Sequence, residues 1–112
     1  MGTEELADVI EQGLTEKAKL TNSNSNNPIE AQTVFDPKSH RYSLFHVGWI
    51  NDRRIFGCVL YIEVKQNKVW IHWDGTEEGF ITYLEEHNVP RSQIVQGWLP
   101  PEMRQHTAYA VN

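Results

Sequence analysis

From Gly57 to Thr76 the chain reads GCVLYIEVKQNKVWIHWDGT, two alternating runs separated by a short polar break. Successive side chains of a strand point to opposite faces. Cys58, Leu60, Ile62 and Val64 therefore share one face of a first strand, and Val69, Ile71 and Trp73 one face of a second. A two-residue turn at Gln66-Asn67 sets Lys65 against Lys68. Counting outward, Val64 meets Val69, Ile62 meets Ile71 and Leu60 meets Trp73. Every pair on that face is apolar, and a slip of one residue would exchange the faces. Asn67 suits a turn position with positive φ. This hairpin is the expected centre of the fold.

The neighbouring elements follow from it. Arg41 to Ile50 reads as a strand that Asn51-Asp52-Arg53-Arg54 turns back into the hairpin. An even loop sets Trp49, Val47 and Phe45 opposite Phe56, Cys58 and Leu60, whereas an odd one would set Gly48 and His46 against that row. Ala31 to Asp36 is a further strand, with neither face marked for burial, ending at the turn Asp36-Pro37-Lys38-Ser39. From Thr3 to about Leu20, the residues Leu6, Val9, Ile10 and Leu14 recur at helical spacing. Thr3 is the expected cap, with Glu4, Glu5 and Asp8 at the positive end of the helix dipole and Lys17 and Lys19 at the other. The tract TNSNSNNP over Thr21–Pro28 has nothing to bury and reads as a mobile spacer. Past the hairpin, Asp74 and Glu77 have capping-box spacing and open a helix over 76–88, which Asn88 closes in the left-handed region. Beyond Ser92 the chain is extended or irregular, with short strands expected at Ile94-Val95 and Thr107–Val111. The expected architecture is one α+β domain over residues 1–112. It is an antiparallel meander of about four strands with at least one helix on the Phe45/Trp49/Leu60/Ile71 face.

A chain of 112 residues buries roughly two-thirds of its unfolded surface, enough for a core. The net charge of −5 argues against a broad phosphate-binding surface, so direct DNA binding is expected to be weak or nil. Cys58, the lone cysteine, sits in the apolar row and reads as a buried reduced thiol. No window approaches an apolar membrane span and the acidic N-terminus has no apolar leader; a soluble cytoplasmic protein is expected. Five histidines raise a metal hypothesis. No His-x-x-His, Cys-x-x-Cys or His-Glu-x-x-His spacing supports it, and the register keeps His46, beside Val59, away from His72. Neither metal nor cofactor is expected. Asp74, Glu77 and Glu78 have the chemistry of an acid–base pair, but capping accounts for Asp74 and Glu77. There is no phosphate loop and no nucleophile elbow, so no catalytic residue is assigned.

The second face of the sheet is expected to carry Leu44, Ile50, Val59, Tyr61 and Trp70, with His46, His72 and Glu63 among them. A solvated face would be more polar, so either the C-terminal segment or a second copy should cover it. Leu44, Ile50, Val59, Tyr61, Trp70 and His72 are the candidate interface, with Arg53, Arg54 and Arg104 as further contacts. Arg53 and Arg54 read first as ordinary residues of a hairpin end, and Arg104 as an anchor to a carboxylate or to free carbonyls of the C-terminus. A two-fold homodimer is the expected assembly. The alternative is a small ligand-binding domain or enzyme with a pocket at Tyr61, Trp70 and His72. A deep pocket with convergent polar groups would favour it; a flat apolar patch with a polar rim would favour a protein-binding accessory factor.

Several runs together resemble the XisI family, small cyanobacterial factors that control excision of the element interrupting the fdxN gene. They are Val34-Phe35-Asp36, His46-Val47-Gly48-Trp49, Arg53-Arg54, Gly57-Cys58-Val59-Leu60, Lys68-Val69-Trp70-Ile71 and Asp74-Gly75-Thr76-Glu77. Gly79, Val89-Pro90, Ile94-Val95, Gly97, Pro101, Arg104, Thr107 and Ala110-Val111 complete the likeness, which spans about Glu30 to Val111. Departures are Gln66-Asn67 at the hairpin turn, His72-Trp73 where polar or acidic residues are common, and Trp98 in place of Phe. The resemblance implies a non-enzymatic factor working beside a site-specific recombinase and an XisH-like companion. It carries over no active-site residue.

Overall fold

The central hairpin forms as its alternation requires. In the computed structural model, which describes residues 1–112, β3 (Arg53–Lys65) and β4 (Lys68–Asp74) pair antiparallel. Lys65 lies against Lys68, Val64 against Val69 and Ile62 against Ile71. Gln66 and Asn67 both take positive φ, at 54° and 58°, the conformation of a tight hairpin turn. To one side, β2 (Arg41–Ile50) and then β1 (Ile29–Asp36) continue the antiparallel sheet. On the other side, β5 (Ile94–Gln96) adds a short parallel strand to β4, giving the order β1-β2-β3-β4-β5. Val95 and Ala110 form a single bridge where a last strand was expected. The protein is thus α+β, with one strand more than the four of the meander.

Two departures from strict alternation decide which side chains are buried. Leu44 pairs with Leu60 but Phe45 pairs with Cys58, so Val59 is an extra residue in β3. Ile62 pairs with Ile71 but Tyr61 pairs with Trp73, so His72 is an extra residue in β4. Such a bulge leaves one residue unpaired, increases the twist, and swaps the sides of everything beyond it. Leu60 consequently meets Asp74 rather than Trp73. The loop between β2 and β3 is only Asn51-Asp52, with Asn51 at φ 55°. That shortening slides the pairing by two, so Val47, not Trp49, opposes Phe56.

Helix α1 (Thr3–Asn22) lies on the face formed by Tyr42, Leu44, Leu60, Ile62, Val64, Val69 and Ile71. It contributes Leu6, Ala7, Ile10, Leu14 and Ala18 to that core. Phe45 and Trp49, expected under a helix, lie on the opposite side because the Val59 bulge reverses the faces. Leu44, expected on the second face, is in the core for the same reason. The N-cap of α1 is Gly2 rather than Thr3: Glu5 Oε1 accepts the Gly2 N–H at 3.1 Å, while Thr3 Oγ1 donates to Asn67 Oδ1 at 3.2 Å.

Helix α2 (Phe80–Glu86) begins four residues later than expected and has Gly79 as its N-cap. Asp74 still serves it, but from a distance. Its Oδ2 accepts the Phe80 N–H at 2.7 Å, and its Oδ1 accepts from Thr76 N and Thr76 Oγ1 at 2.9 and 2.6 Å. Asn88, at φ 65°, closes the helix end as anticipated. The Asn/Ser tract does more than span a gap. The Asn22 amide donates to the Ala31 carbonyl at 2.9 Å and accepts from the Ala31 N–H at 2.8 Å. Asn27 Oδ1 accepts the Ile29 N–H at 3.0 Å. Both occupy the open edge of β1 and satisfy backbone groups that a further strand would otherwise take.

Gly13 is where α1 meets α2. A Cβ there would lie 2.6 Å from Tyr83 Cε1 and 2.7 Å from Phe80 Cζ, and Phe80 is fully buried. Gly13→Ala should lower unfolding stability by about 1–3 kcal/mol in a urea titration, overpacking outweighing the gain in helix propensity of about 1 kcal/mol. At the β1–β2 turn, Asp36 accepts from the Ser39 hydroxyl and from the N–H groups of Ser39 and Lys38. The Ser39 hydroxyl bond is the main reason that its carboxyl titrates below the ordinary 3.8. The lowered folded value means that stability from this group is present above 3.8 and is lost as pH falls through the folded pKa. Carboxyl NMR should place the Asp36 titration below 3.8, and Ser39→Ala should move it up.

Candidate interaction surface

The face of the sheet away from α1 divides into a covered half and an open half. The covered half lies over β4 and β5. There Trp70 is nearly buried, with Lys65 Nζ 4.1 Å and Arg104 Cζ 5.3 Å from its ring centroid. Arg104, in the short helix α3 (Pro101–Arg104), also donates to the Leu99 and Val111 carbonyls at 3.0 and 3.3 Å. It anchors the C-terminal segment through free carbonyls, one of its two expected modes, and makes that segment the cover of Trp70 by a cation over an indole face. His72 stacks beside Trp70, lies 5.4 Å from the Tyr61 ring, and has Nε2 3.0 Å from Glu63 Oε1.

The open half belongs to the β2–β3 arm. By register, Phe45 and Cys58, Val47 and Phe56, and Trp49 and Arg54 form cross-strand pairs on this side. Phe45 and Phe56 stack with centroids 5.8 Å apart, and the Arg54 guanidinium lies 5.2 Å from the Trp49 ring. Phe56, Trp49, Trp73 and Val34 are more than half exposed. Cys58 is exposed too, contrary to the buried thiol expected, because the bulge beside it turns the apolar row outward. Partial desolvation raises its pKa above the ordinary thiol value, against a hydrogen bond to the Leu60 carbonyl that lowers it.

The expected interface residues are therefore dispersed. Tyr61, Trp70 and His72 share the outer face; Leu44 is in the core; Val59 and His46 lie toward the helices, where they line a depression with Leu20 and Glu78. Ile50 and Arg53 pair at the exposed tip of the arm, and Arg54 reaches the outer face beside Trp49. The residues that do make the open patch, Phe45, Val47, Trp49, Phe56 and Cys58, had been grouped in one row but assigned to the wrong side. Their signal was present in the alternation; the bulges were not.

No group of three His, Cys, Asp or Glu side chains is arranged to hold a metal ion. Tyr61, Trp70 and His72 line none of the cavities. One open depression of about 370 Å³ is lined by Asp74, Thr76, Glu78, Gly79, Ile81, Gln96, Trp98 and Tyr109. Its carboxylates are engaged: Asp74 with the α2 start and Glu78 with Lys17 at 2.7 Å, a bond that holds Glu78 below its usual pKa. No helix is long and apolar enough to cross a membrane.

A family model described as XisI protein matches residues 2–111. The chain belongs to the XisI family. The XisI match takes in α1 and the Asn/Ser tract as well as the motifs from Glu30 onward. A crystal structure of a XisI-like protein from Anabaena variabilis ATCC 29413 is 29% identical, with a TM-score of 0.88 over 98% of this chain and 99% of that one. The fdxN element excision controlling factor XisI of the same organism shares the fold at 22% identity, with a TM-score of 0.80 over 98% of each chain. No curated protein matches. Arg104→Ala should release the C-terminal cover from Trp70. The expected result is a loss of about 1–3 kcal/mol in denaturant unfolding, with faster hydrogen exchange confined to residues beyond Gly97.

Proposed function

We propose that this protein is a non-enzymatic accessory factor in the control of DNA-element excision, acting through protein contacts with an XisH-like companion and, beside it, a site-specific recombinase. Membership of the XisI family supports the setting, as does the name of the related Anabaena protein, fdxN element excision controlling factor. The observation that carries the mode of action is the distribution of acidic charge. Helix α1 holds Glu4, Glu5, Asp8, Glu11 and Glu16 against Lys17 and Lys19, and residues 77–86 add Glu77, Glu78, Glu85 and Glu86 with no basic residue. Lys17 pairs with Glu78 and Arg91 with Glu85, and the carboxylates left over give an acidic excess that speeds and selects the approach of a basic protein and repels a nucleic-acid backbone.

Co-expression with an XisH-like protein from the same cell tests the reading. Affinity capture should retain the companion at low salt and release it as ionic strength rises. Replacing Glu4 and Asp8 with lysine should weaken that capture while leaving the fold intact, since both are exposed and neither supplies a capping hydrogen bond. The isolated protein should give no sub-micromolar gel shift with duplex DNA at physiological salt. Tight DNA binding by the protein alone, or capture indifferent to both salt and charge reversal, would defeat the proposal.

A further inference from the structure

The open depression of about 370 Å³ beside the start of α2 has a lining that selects what can enter it. Asp74 and Glu78 bring its only formal charges, and no basic side chain lines it. Asp74 is held by neutral donors, the Phe80 N–H and the N–H and hydroxyl of Thr76, so no cation offsets its charge. Lys17 engages Glu78 through Oε1 alone and stands outside the lining. Trp98 and Tyr109 supply aromatic walls, and Trp98 is 40% exposed. The Gln96 carboxamide is also part of the wall, and its buried Oε1 has no donor within the chain. A buried acceptor without a partner costs free energy until a donor reaches it.

We infer that this depression receives an arginine side chain from a basic segment of a partner protein. Each part of the lining matches a different property of the guanidinium. Its charge suits Asp74 and Glu78. Its flat, weakly hydrated plane suits the exposed Trp98 ring, where a cation is attracted by the ring quadrupole. Its fork of N–H groups supplies the donor that Gln96 Oε1 lacks, and the broad terminal torsion of glutamine lets that oxygen turn inward. Other classes of ligand fail on one count each. A metal ion would need a group of three ligating side chains, and none is arranged so. A nucleotide would set its phosphate against two carboxylates with no lining base to offset them. An apolar side chain would leave Gln96 Oε1 unpaired and take Asp74 further from water without a counter-charge. An ammonium meets the charge but has no plane to lay on Trp98, so lysine is the weaker fit. The inference deepens the accessory-factor reading and rests on it for the source of the arginine: acidic excess draws the basic partner, and this depression fixes its register.

Titration of the isotope-labelled chain with N-acetyl-L-argininamide, followed by proton–nitrogen NMR, tests the site directly. Saturable shifts are expected at the Gln96 side-chain amide, the Trp98 indole N–H and the Gly79 N–H, with a dissociation constant of about 1–10 mM for a single side chain. The neutral citrulline analogue keeps the shape and loses the charge; it should bind at least ~5-fold more weakly, with N-acetyl-L-lysinamide in between. Trp98→Ala and Gln96→Met should each raise the constant at least ~3-fold with an unchanged circular dichroism spectrum. Glu4→Lys, outside the depression, should change it less than ~2-fold at about 0.15 M salt. No saturable shift up to ~100 mM, a citrulline or lysine analogue that binds as tightly as the arginine one, or wild-type affinity in both lining variants would overturn the inference. The companion-capture experiment reads Glu4 and Asp8, which do not line the depression. Capture by a protein that ignores argininamide would therefore sink this inference alone. Argininamide binding without capture would sink the accessory-factor reading and leave the arginine site to a different basic partner.

Discussion

Only one side of this sheet can lie beneath α1, and the two unpaired residues Val59 and His72 determine which side chains go there. Leu6, Ile10 and Leu14 meet Leu60, Ile62 and Ile71 with no measurable exposure, and Tyr42 and Leu44 extend the layer from β2. A large aliphatic side chain moved from water to such a site gains about 1.5–3 kcal/mol. Had the ladder run straight through Val59, Leu44 and Phe45 would have exchanged sides, giving a helix interface of aromatic arm residues and an exposed Tyr42–Leu44 row. The bulges thus allow one continuous strand to bury its proximal half against a helix and present its distal half outward.

Much of this was legible in the residues. Ile62 against Ile71, the turn at Gln66-Asn67, the helical spacing of α1 and the left-handed Asn88 all follow from periodicity and turn chemistry, and the structure has them. The sides beyond the bulges were not legible, because an extra residue leaves no composition of its own: neither Val59 nor His72 is a residue type that marks one. Asp74 illustrates a different limit. Its partner was right in kind, a helix start, but the first turn lies six residues away rather than at capping-box distance, and only the path of Gly75–Gly79 shows this. For the surface, the aromatic row of the arm was recognised and its exposure was not.

Burial and charge are segregated by the same geometry. The helical layer is acidic outside and aliphatic inside, while the outer face is apolar along the arm and carries Lys65, Lys68 and Arg104 around Trp70. Several polar side chains serve turns, caps and the C-terminal anchor, among them Asp36, Asp74 and Arg104.

The amide of Asn22 has a further implication, for how long the molecule keeps its shape. One side chain supplies both a donor and an acceptor to Ala31, filling the place of an absent neighbouring strand. Slow hydrolysis of that amide, a common fate of exposed asparagine, would replace the donating nitrogen with a carboxylate oxygen facing the Ala31 carbonyl. Attraction would become repulsion at the middle of an open strand edge, with no change in any buried residue. Chemical age, rather than heat, would then be what makes this sheet adhesive.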